Sequence, residues 1–330
     1  MVQLSASYPS SSSVKTLVNG LFDYAGLFPP ASLPLTEAFS EYLGHRSEPD
    51  AWMVGPFVIP VQKLSEVTIL LQNEQLASPV LFDVLPRAAT SLSLLQESLA
   101  EDLAACTRFL ETNQGKAEIT SFEFRFPDGI FSDTGLGVHA VTAVSDLFEE
   151  AGFEQASVFG ELVRGASFES EIAPYFLSLS SSQSRLKILG KIRCGGMAQT
   201  DFPTTAEIAA YIHFAAQLGY PFKATAGLHH PIRHFNSGQS VWMHGFINVL
   251  FAATMARVHS LNPAEIQQIL EDEEAQSFIF DRTGIAWRTL KATNTDFIGV
   301  RRNLALSIGS CSFNEPRADL FELRLLKTSV

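Results

Sequence analysis

The chain has 330 residues, of which 46% are hydrophobic, and its formal net charge is -12 at pH 7. A chain of this length and apolar content can bury a large core. Its excess of negative charge argues against sequence-independent binding to nucleic acid or to an anionic membrane, because such binding needs a basic face. Its three cysteines, Cys106, Cys194 and Cys311, include no CxxC pair, so they indicate neither a disulfide framework nor a zinc ribbon and favour a reducing, cytoplasmic compartment.

The N-terminus is rich in serine, and we predict a flexible tail over residues 1–14. It has no basic segment followed by an apolar one, so a secretory signal is not expected. No apolar run reaches the roughly 18 residues of a membrane-spanning helix, so we predict no membrane partner.

From residue 15 onward, short strand-like runs alternate with helical patterns. Residues 91–113 have the apolar spacing of a long amphipathic helix. Thr204 and Glu207 have the spacing of a capping box, and Gly219 marks the end of the helix that they begin. The strands are predicted to end near Asp23, Pro60, Pro86, Pro127, Glu161, Arg193, Thr225 and Asp281.

Eight units of a strand followed by a helix predict a (β/α)₈ TIM barrel, formed by residues 15–330 as a single domain. The alternative is an open, doubly wound sheet of six or seven strands. No internal repeat or change of composition divides the chain, which favours one domain.

Charged residues occur inside three of the predicted strands. Alternate side chains of a strand point to opposite faces, so the phenylalanines of "FEFRFP" suit the helix-facing side and the charges between them point inward. The inward positions on the fourth, sixth and seventh strands are Glu123 and Arg125, Lys191 and Arg193, and Lys223 and Thr225. Glu161 ends the fifth strand.

Isolated buried charges are costly, and barrel active sites lie at the carboxyl ends of the strands. The pattern therefore predicts a polar catalytic chamber. The alternative is an ion-pair network that only fills the barrel.

The loops after the last two predicted strands are candidates for phosphate binding through backbone N–H groups. Gly227 follows the seventh strand, and Asp281, Arg282 and Gly284 follow the eighth.

Four histidines, among them His229 and His230, lie close together in the sequence. Neighbouring histidines in an extended loop point in opposite directions, so at most one of this pair faces the chamber, where we expect a general acid or base. No HExxH or HxH spacing is present, and we predict no metal and no cofactor.

The motifs "GLFDYAGLFPPA", "KIRCGG", "PFKATAGLHHP" and "GSCSFNEP" resemble those of a family of uncharacterised bacterial proteins, which implies no activity. A local pattern is similar to the deoxyribose-phosphate aldolase family of class I aldolases. In that family the sixth-strand lysine forms a Schiff base, the seventh-strand lysine lowers its pKa, and a fourth-strand aspartate helps to move protons. The resemblance implies these roles for Lys191, Lys223 and Glu123, although the acid in this chain is a glutamate. The family's "KTSTG" pattern is closer to "KATAG" around Lys223 than to "KIRCG", which leaves open which lysine is the nucleophile.

These observations favour a barrel enzyme that acts on a small carboxylate or phosphate metabolite, by carbon–carbon lysis or isomerisation through a lysine imine or an enolate. The alternatives are a metal-dependent barrel enzyme with Glu and His ligands and a non-catalytic ligand-binding barrel; homo-oligomerisation stays open. The candidate catalytic residues are Lys191, Lys223, Glu123, His229 and His230. The candidate substrate-binding residues are Arg125, Arg193, Glu161, Thr225, Gly227, Asp281, Arg282 and Gly284.

Overall fold

The structure, a computed structural model, describes residues 7–328 of the chain. The strands in that range are β1 (Ser7–Pro9), β2 (Phe22–Tyr24), β3 (Val54–Pro60), β4 (Val80–Leu85), β5 (Ala117–Arg125), β6 (Ser157–Glu161), β7 (Ile188–Arg193), β8 (Phe222–Thr225), β9 (His234–Asn236), β10 (Val241–Met243), β11 (Phe278–Phe280), β12 (Gly284–Trp287), β13 (Leu290–Thr293), β14 (Ala305–Ser310) and β15 (Leu326–Thr328). The α-helices are α1 (Ser12–Val18), α2 (Leu35–Ser47), α3 (Leu64–Asn73), α4 (Leu92–Thr112), α5 (Thr134–Glu150), α6 (Phe168–Ser181), α7 (Thr205–Leu218), α8 (Phe246–His259), α9 (Pro263–Leu270), α10 (Asn294–Asn303) and α11 (Asn314–Glu322).

Eight parallel strands close a barrel in the order β2, β3, β4, β5, β6, β7, β8 and β14. The prediction of a (β/α)₈ barrel is therefore confirmed. The first seven barrel strands end within two residues of the predicted positions. The capping box at Thr204 and Glu207 is present at the start of α7, and Gly219 ends that helix with a φ of 63°.

The prediction of the eighth barrel strand was wrong. Residues 278–293 instead form an antiparallel sheet of β11, β12 and β13, and the barrel is completed by β14. The aromatic and β-branched residues near Asp281 correctly indicate strands, but that carboxylate accepts the backbone N–H groups of Thr283 and Gly284 and closes a tight turn. The barrel strand "ALSIGS" consists mainly of small and polar residues, and the pattern of "TDFIGVRRNLALSI" predicts a helix that extends into it.

The chain divides into two compact units. The first contains the described residues up to Ser32, Ser40–Gly55 and those from Arg193 onward, and the second contains Leu33–Phe39 and Pro56–Ile192. The single-domain prediction is not tested by this division and stays a prediction.

In the second unit, aromatic side chains on the helix-facing sides of the strands pack against the helices. Phe82 of β4 meets Phe109 of α4 with ring centroids 5.3 Å apart, and Phe122 of β5 meets Phe148 of α5 at 4.9 Å. In the first unit, Phe22 of β2 packs edge-on against a phenylalanine of α8. These contacts show which face of β2, β4 and β5 packs against the helices.

Residues 1–6 of the predicted tail lie outside the described residues. Regular structure nevertheless begins within the rest of that segment, because β1 and the start of α1 lie there. The Ser11 side chain accepts the backbone N–H of Val14 as the helix cap, so part of the serine run has a structural role. Between residues 7 and 328, no helix combines the length and apolarity needed to cross a membrane.

Candidate functional site

In the second unit, Lys191 of β7 lies between two carboxylates. Its Nζ is 2.7 Å from Oε2 of Glu123 on β5 and 2.9 Å from Oε2 of Glu161 on β6. All three side chains are 4% exposed or less. We call these three residues the Lys191 cluster.

Strand alternation and register build this cluster. Arg125, Glu161 and Lys191 stand side by side on β5, β6 and β7 in the parallel register, and Glu123 lies two residues before Arg125 on the same face. Phe122 and Phe124, which alternate with the β5 charges, pack against Phe148 of α5. Glu123 and Lys191 therefore lie on the strand face opposite to the helices, as the alternation predicts.

A tyrosine of α6 holds the two strands that carry Glu161 and Lys191. The Tyr175 hydroxyl donates to the Gly160 carbonyl at 2.6 Å and accepts the backbone N–H of Lys191 at 3.1 Å. A Cβ at Gly160 would collide with the Phe126 ring and with a methyl group of Ile188, so only glycine fits there.

The electrostatics of the cluster keep the lysine charged. Burial alone would lower the pKa of Lys191, but Glu123 and Glu161 outweigh burial by attraction and hydrogen bonding, so the pKa is raised. The aldolase resemblance implies that a second lysine lowers the pKa of its partner, and for this chain that role stays a prediction. Around Lys191 itself the nearest charges are the two carboxylates.

At the edge of the cluster, the chain becomes accessible to solvent. The Arg125 side chain is 52% exposed, and its Nε lies 3.3 Å from Oε1 of Glu161. Arg193, the last residue of β7, is exposed and belongs to the first unit, so it is not counted with this cluster. A further carboxylate of this unit, Asp83, is fully buried on β4, where its register partner on β5 is Ser121. Asp83 was missed by sequence reasoning, although a single acid inside the apolar run "VLFDVL" is the signal that identifies it.

In the first unit, Lys223 of β8 is fully buried and its Nζ lies 2.5 Å from Oδ2 of Asp23 on β2. The Ser307 hydroxyl of β14 donates to the same oxygen at 2.7 Å. Gly55 leaves room for this carboxylate, since a Cβ there would collide with it. We call Asp23, Lys223 and Ser307 the Lys223 cluster. The sequence placed Asp23 at a strand end, but neither it nor Ser307 was assigned to the site.

The loop after β8 bends sharply. Ala226 and Gly227 have φ values of 60° and 68°, and a Cβ on Gly227 would meet the Cys194 carbonyl at 3.0 Å. Thr225, which precedes them, is 7% exposed, and its hydroxyl oxygen has no hydrogen-bond partner within the described residues. The positive φ and the close approach to Cys194 both favour glycine at position 227, while its predicted role in phosphate binding stays a prediction.

The two candidate histidines differ in their surroundings. His229 is 8% exposed and lies against Cys311, whereas His230 is partly exposed and its Nδ1 is 2.6 Å from Oδ2 of Asp319. Burial lowers the pKa of His229, and Glu315 partly opposes that shift.

Asp281, Arg282 and Gly284 do not lie at the end of a barrel strand. They form the turn between β11 and β12, where Asp281 and Arg282 are exposed. Their assignment to the loop after the eighth barrel strand was wrong, because that strand is β14.

The structure therefore brings Glu123, Glu161 and Lys191 together in one unit and places Lys223 with Asp23 in the other. Among residues 7–328, no group of three or more His, Cys, Asp or Glu side chains is arranged to hold a metal ion. No protein-family model matches the sequence, and no curated protein matches it either.

Proposed function

We propose that the protein is a barrel enzyme of the lyase or isomerase class that acts on a small carboxylate or phosphate metabolite through an enolate. The observation that carries the proposal is the position of Lys191, a buried ammonium within 2.9 Å of two carboxylates. A proton donor and proton acceptors held side by side are what proton abstraction next to a carbonyl requires.

The residues of the Lys191 cluster have separate roles in this proposal. Glu161 contacts both Lys191 and Arg125, so we assign it to orienting the two cations. Glu123 removes the proton from the carbon next to the substrate carbonyl. Lys191 donates a hydrogen bond or a proton to the carbonyl oxygen as negative charge develops there.

An enolate fits these surroundings better than a Lys191 imine. Imine formation requires a neutral amine, and the raised pKa keeps Lys191 protonated at neutral pH. A protonated lysine instead stabilises developing negative charge without a change in its own bonds.

The exposed arginine next to the cluster suits the substrate's anionic group. Arg125 is half exposed beside Glu161 in the same unit. A guanidinium forms two parallel hydrogen bonds with a carboxylate or phosphate, which would fix the distance between that group and the reacting carbon.

Solvent exchange tests this proposal without knowledge of the full reaction. The protein is incubated in D₂O with a panel of small oxo acids and sugar phosphates, and proton NMR follows loss of the signal next to the carbonyl. We expect exchange with at least one compound and a decrease of about 100-fold or more in Glu123→Gln, a typical contribution of a general base.

Glu118→Gln is the matched control, because Glu118 is exposed on the same strand, β5. Its exchange rate should equal that of the unmodified protein. Equal rates in Glu123→Gln and in the control would refute the catalytic role of Glu123 and leave the cluster as structural ion pairs.

A further inference from the structure

A cysteine and a histidine meet at the ends of two neighbouring barrel strands in the first unit. Strands β8 and β14 are parallel and paired, so their carboxyl ends lie at one edge of the sheet. Cys311 directly follows β14, and His229 lies in the loop after β8. The Cys311 Sγ is 3.7 Å from Nδ1 and 3.8 Å from Nε2 of His229.

Neighbouring groups determine which nitrogen of His229 carries the proton. The Ser310 hydroxyl donates to the Ser312 carbonyl at 2.6 Å, so its oxygen is left to accept a hydrogen bond from Nδ1, 3.5 Å away. The Glu315 carboxylate lies 3.8 Å from the same nitrogen and also favours a proton there. The lone pair is then on Nε2, the other nitrogen beside the Cys311 thiol.

The charge states suit proton transfer from the thiol to the imidazole. Burial lowers the pKa of His229. The nearby Glu315 carboxylate raises that pKa in part, whereas His230 and His234 lower it further. Burial also raises the pKa of the Cys311 thiol to about 11. Near neutral pH the pair is therefore a thiol and a neutral imidazole that is able to accept its proton.

We propose that Cys311 is a second reactive centre, a nucleophile that takes an acyl group from a small ester or thioester with His229 as its base. The order of thiol, imidazole and carboxylate is that of a nucleophile, its base and an orienting group. This inference is independent of the function proposed for Lys191.

The step balances without an added reagent. Nε2 of His229 takes the thiol proton as Sγ of Cys311 adds to the acyl carbon. The bond from that carbon to the alcohol or thiol of the donor then breaks, and the leaving group takes the proton from Nε2. The product is a thioester on Cys311. Water then resolves it: Nε2 takes a proton from water as the water oxygen adds to the acyl carbon, the carbon–sulfur bond breaks, and Sγ takes the proton from Nε2, which releases the carboxylic acid.

The test uses p-nitrophenyl acetate as the acyl donor and the full chain at pH 7. Peptide mass spectrometry locates the acetyl groups while absorbance follows release of nitrophenolate. We expect acetylation of Cys311 well before Cys106 and Cys194, which are 1% and 0% exposed. His229→Gln should slow acetylation of Cys311 by about 100-fold, and the exposed His259→Gln should leave it unchanged.

A pH profile of the unmodified protein gives a second measurement that needs no folded variant. The acetylation rate should rise through a midpoint below the ordinary histidine value of about 6.5, and Glu315→Gln should move that midpoint lower still. The proposal is overturned if Cys311 is not acetylated, if His229→Gln reacts at the unmodified rate, or if the rate rises only towards the pKa of the thiol.

Discussion

Replacing Lys191 with methionine should destabilise the protein by about 3 to 4 kcal/mol at pH 7. The change leaves Glu123 and Glu161 buried without the ammonium between them. Their Oε2 atoms lie 2.7 and 2.9 Å from one nitrogen, so they are at most about 5.6 Å apart. At an effective dielectric of about 20, two like charges at that distance repel by roughly 3 kcal/mol. Removal of one partner of a buried pair costs about 3–5 kcal/mol.

Protonation of one carboxylate limits this cost and makes it depend on pH. With an ordinary glutamate pKa of about 4.3, adding a proton costs about 4 kcal/mol at pH 7 and about 1 kcal/mol at pH 5. In Lys191→Met, one of the two buried carboxyl groups has a higher pKa in the folded state than in the unfolded state. The free energy of unfolding of the variant therefore falls as the pH rises from the unfolded-state pKa through the raised folded-state pKa.

Urea unfolding at pH 5 and pH 7, followed by circular dichroism, measures both effects. Lys187→Met is the matched control, because Lys187 is exposed immediately before β7. The double change Lys191→Met with Glu161→Gln should recover much of the loss, since it removes one of the two like charges. A cost for Lys191→Met equal to that of the control, or no larger at pH 7 than at pH 5, would refute the reasoning.

Three further predictions concern the first unit. Gly55→Ala should lower the free energy of unfolding in urea by about 1–3 kcal/mol, because the new Cβ collides with the buried Asp23 of β2. Gly44→Ala is the control: it adds a Cβ in open space within α2 and should be neutral or stabilising. Gly227→Ala should cost at least about 1 kcal/mol in the same assay, because its φ of 68° disfavours a side chain. Burial lowers the pKa of His244 to about 4, so the free energy of unfolding should fall by roughly 3 kcal/mol as the pH drops from 6.5 towards 4. His244→Gln should flatten this dependence on pH, whereas His259→Gln, at an exposed position, should leave it unchanged.

The barrel was predictable from the sequence where burial enforces alternation. On β5, phenylalanines alternate with Glu123 and Arg125, and on β7, Ile192 separates Lys191 from Arg193. A one-residue shift of either strand would turn charges into the helix-facing core, so the pattern determines the phase. The inward direction of Lys191 follows from that pattern.

The partners of each lysine were less predictable, because they depend on register between strands that are distant in sequence. Asp23 and Lys223 are 200 positions apart in the chain. The pairing also involves Ser307 of β14, a strand whose residues follow a helical pattern in the sequence. Small and polar strand residues carry little hydrophobic periodicity, which explains why β14 was missed and why Cys311 was not placed beside His229.

The most direct test of the central claim compares Lys191→Arg with Lys191→Met in the deuterium exchange assay, using a compound that the unmodified protein exchanges. If Lys191 acts as a protonated donor, arginine should retain part of the exchange rate because it keeps the positive charge and the donors, and methionine should lose it. A guanidinium cannot form the imine that a lysine amine forms. The account would be contradicted if both variants lost deuterium exchange equally and if borohydride trapped a substrate adduct on Lys191 of the unmodified protein.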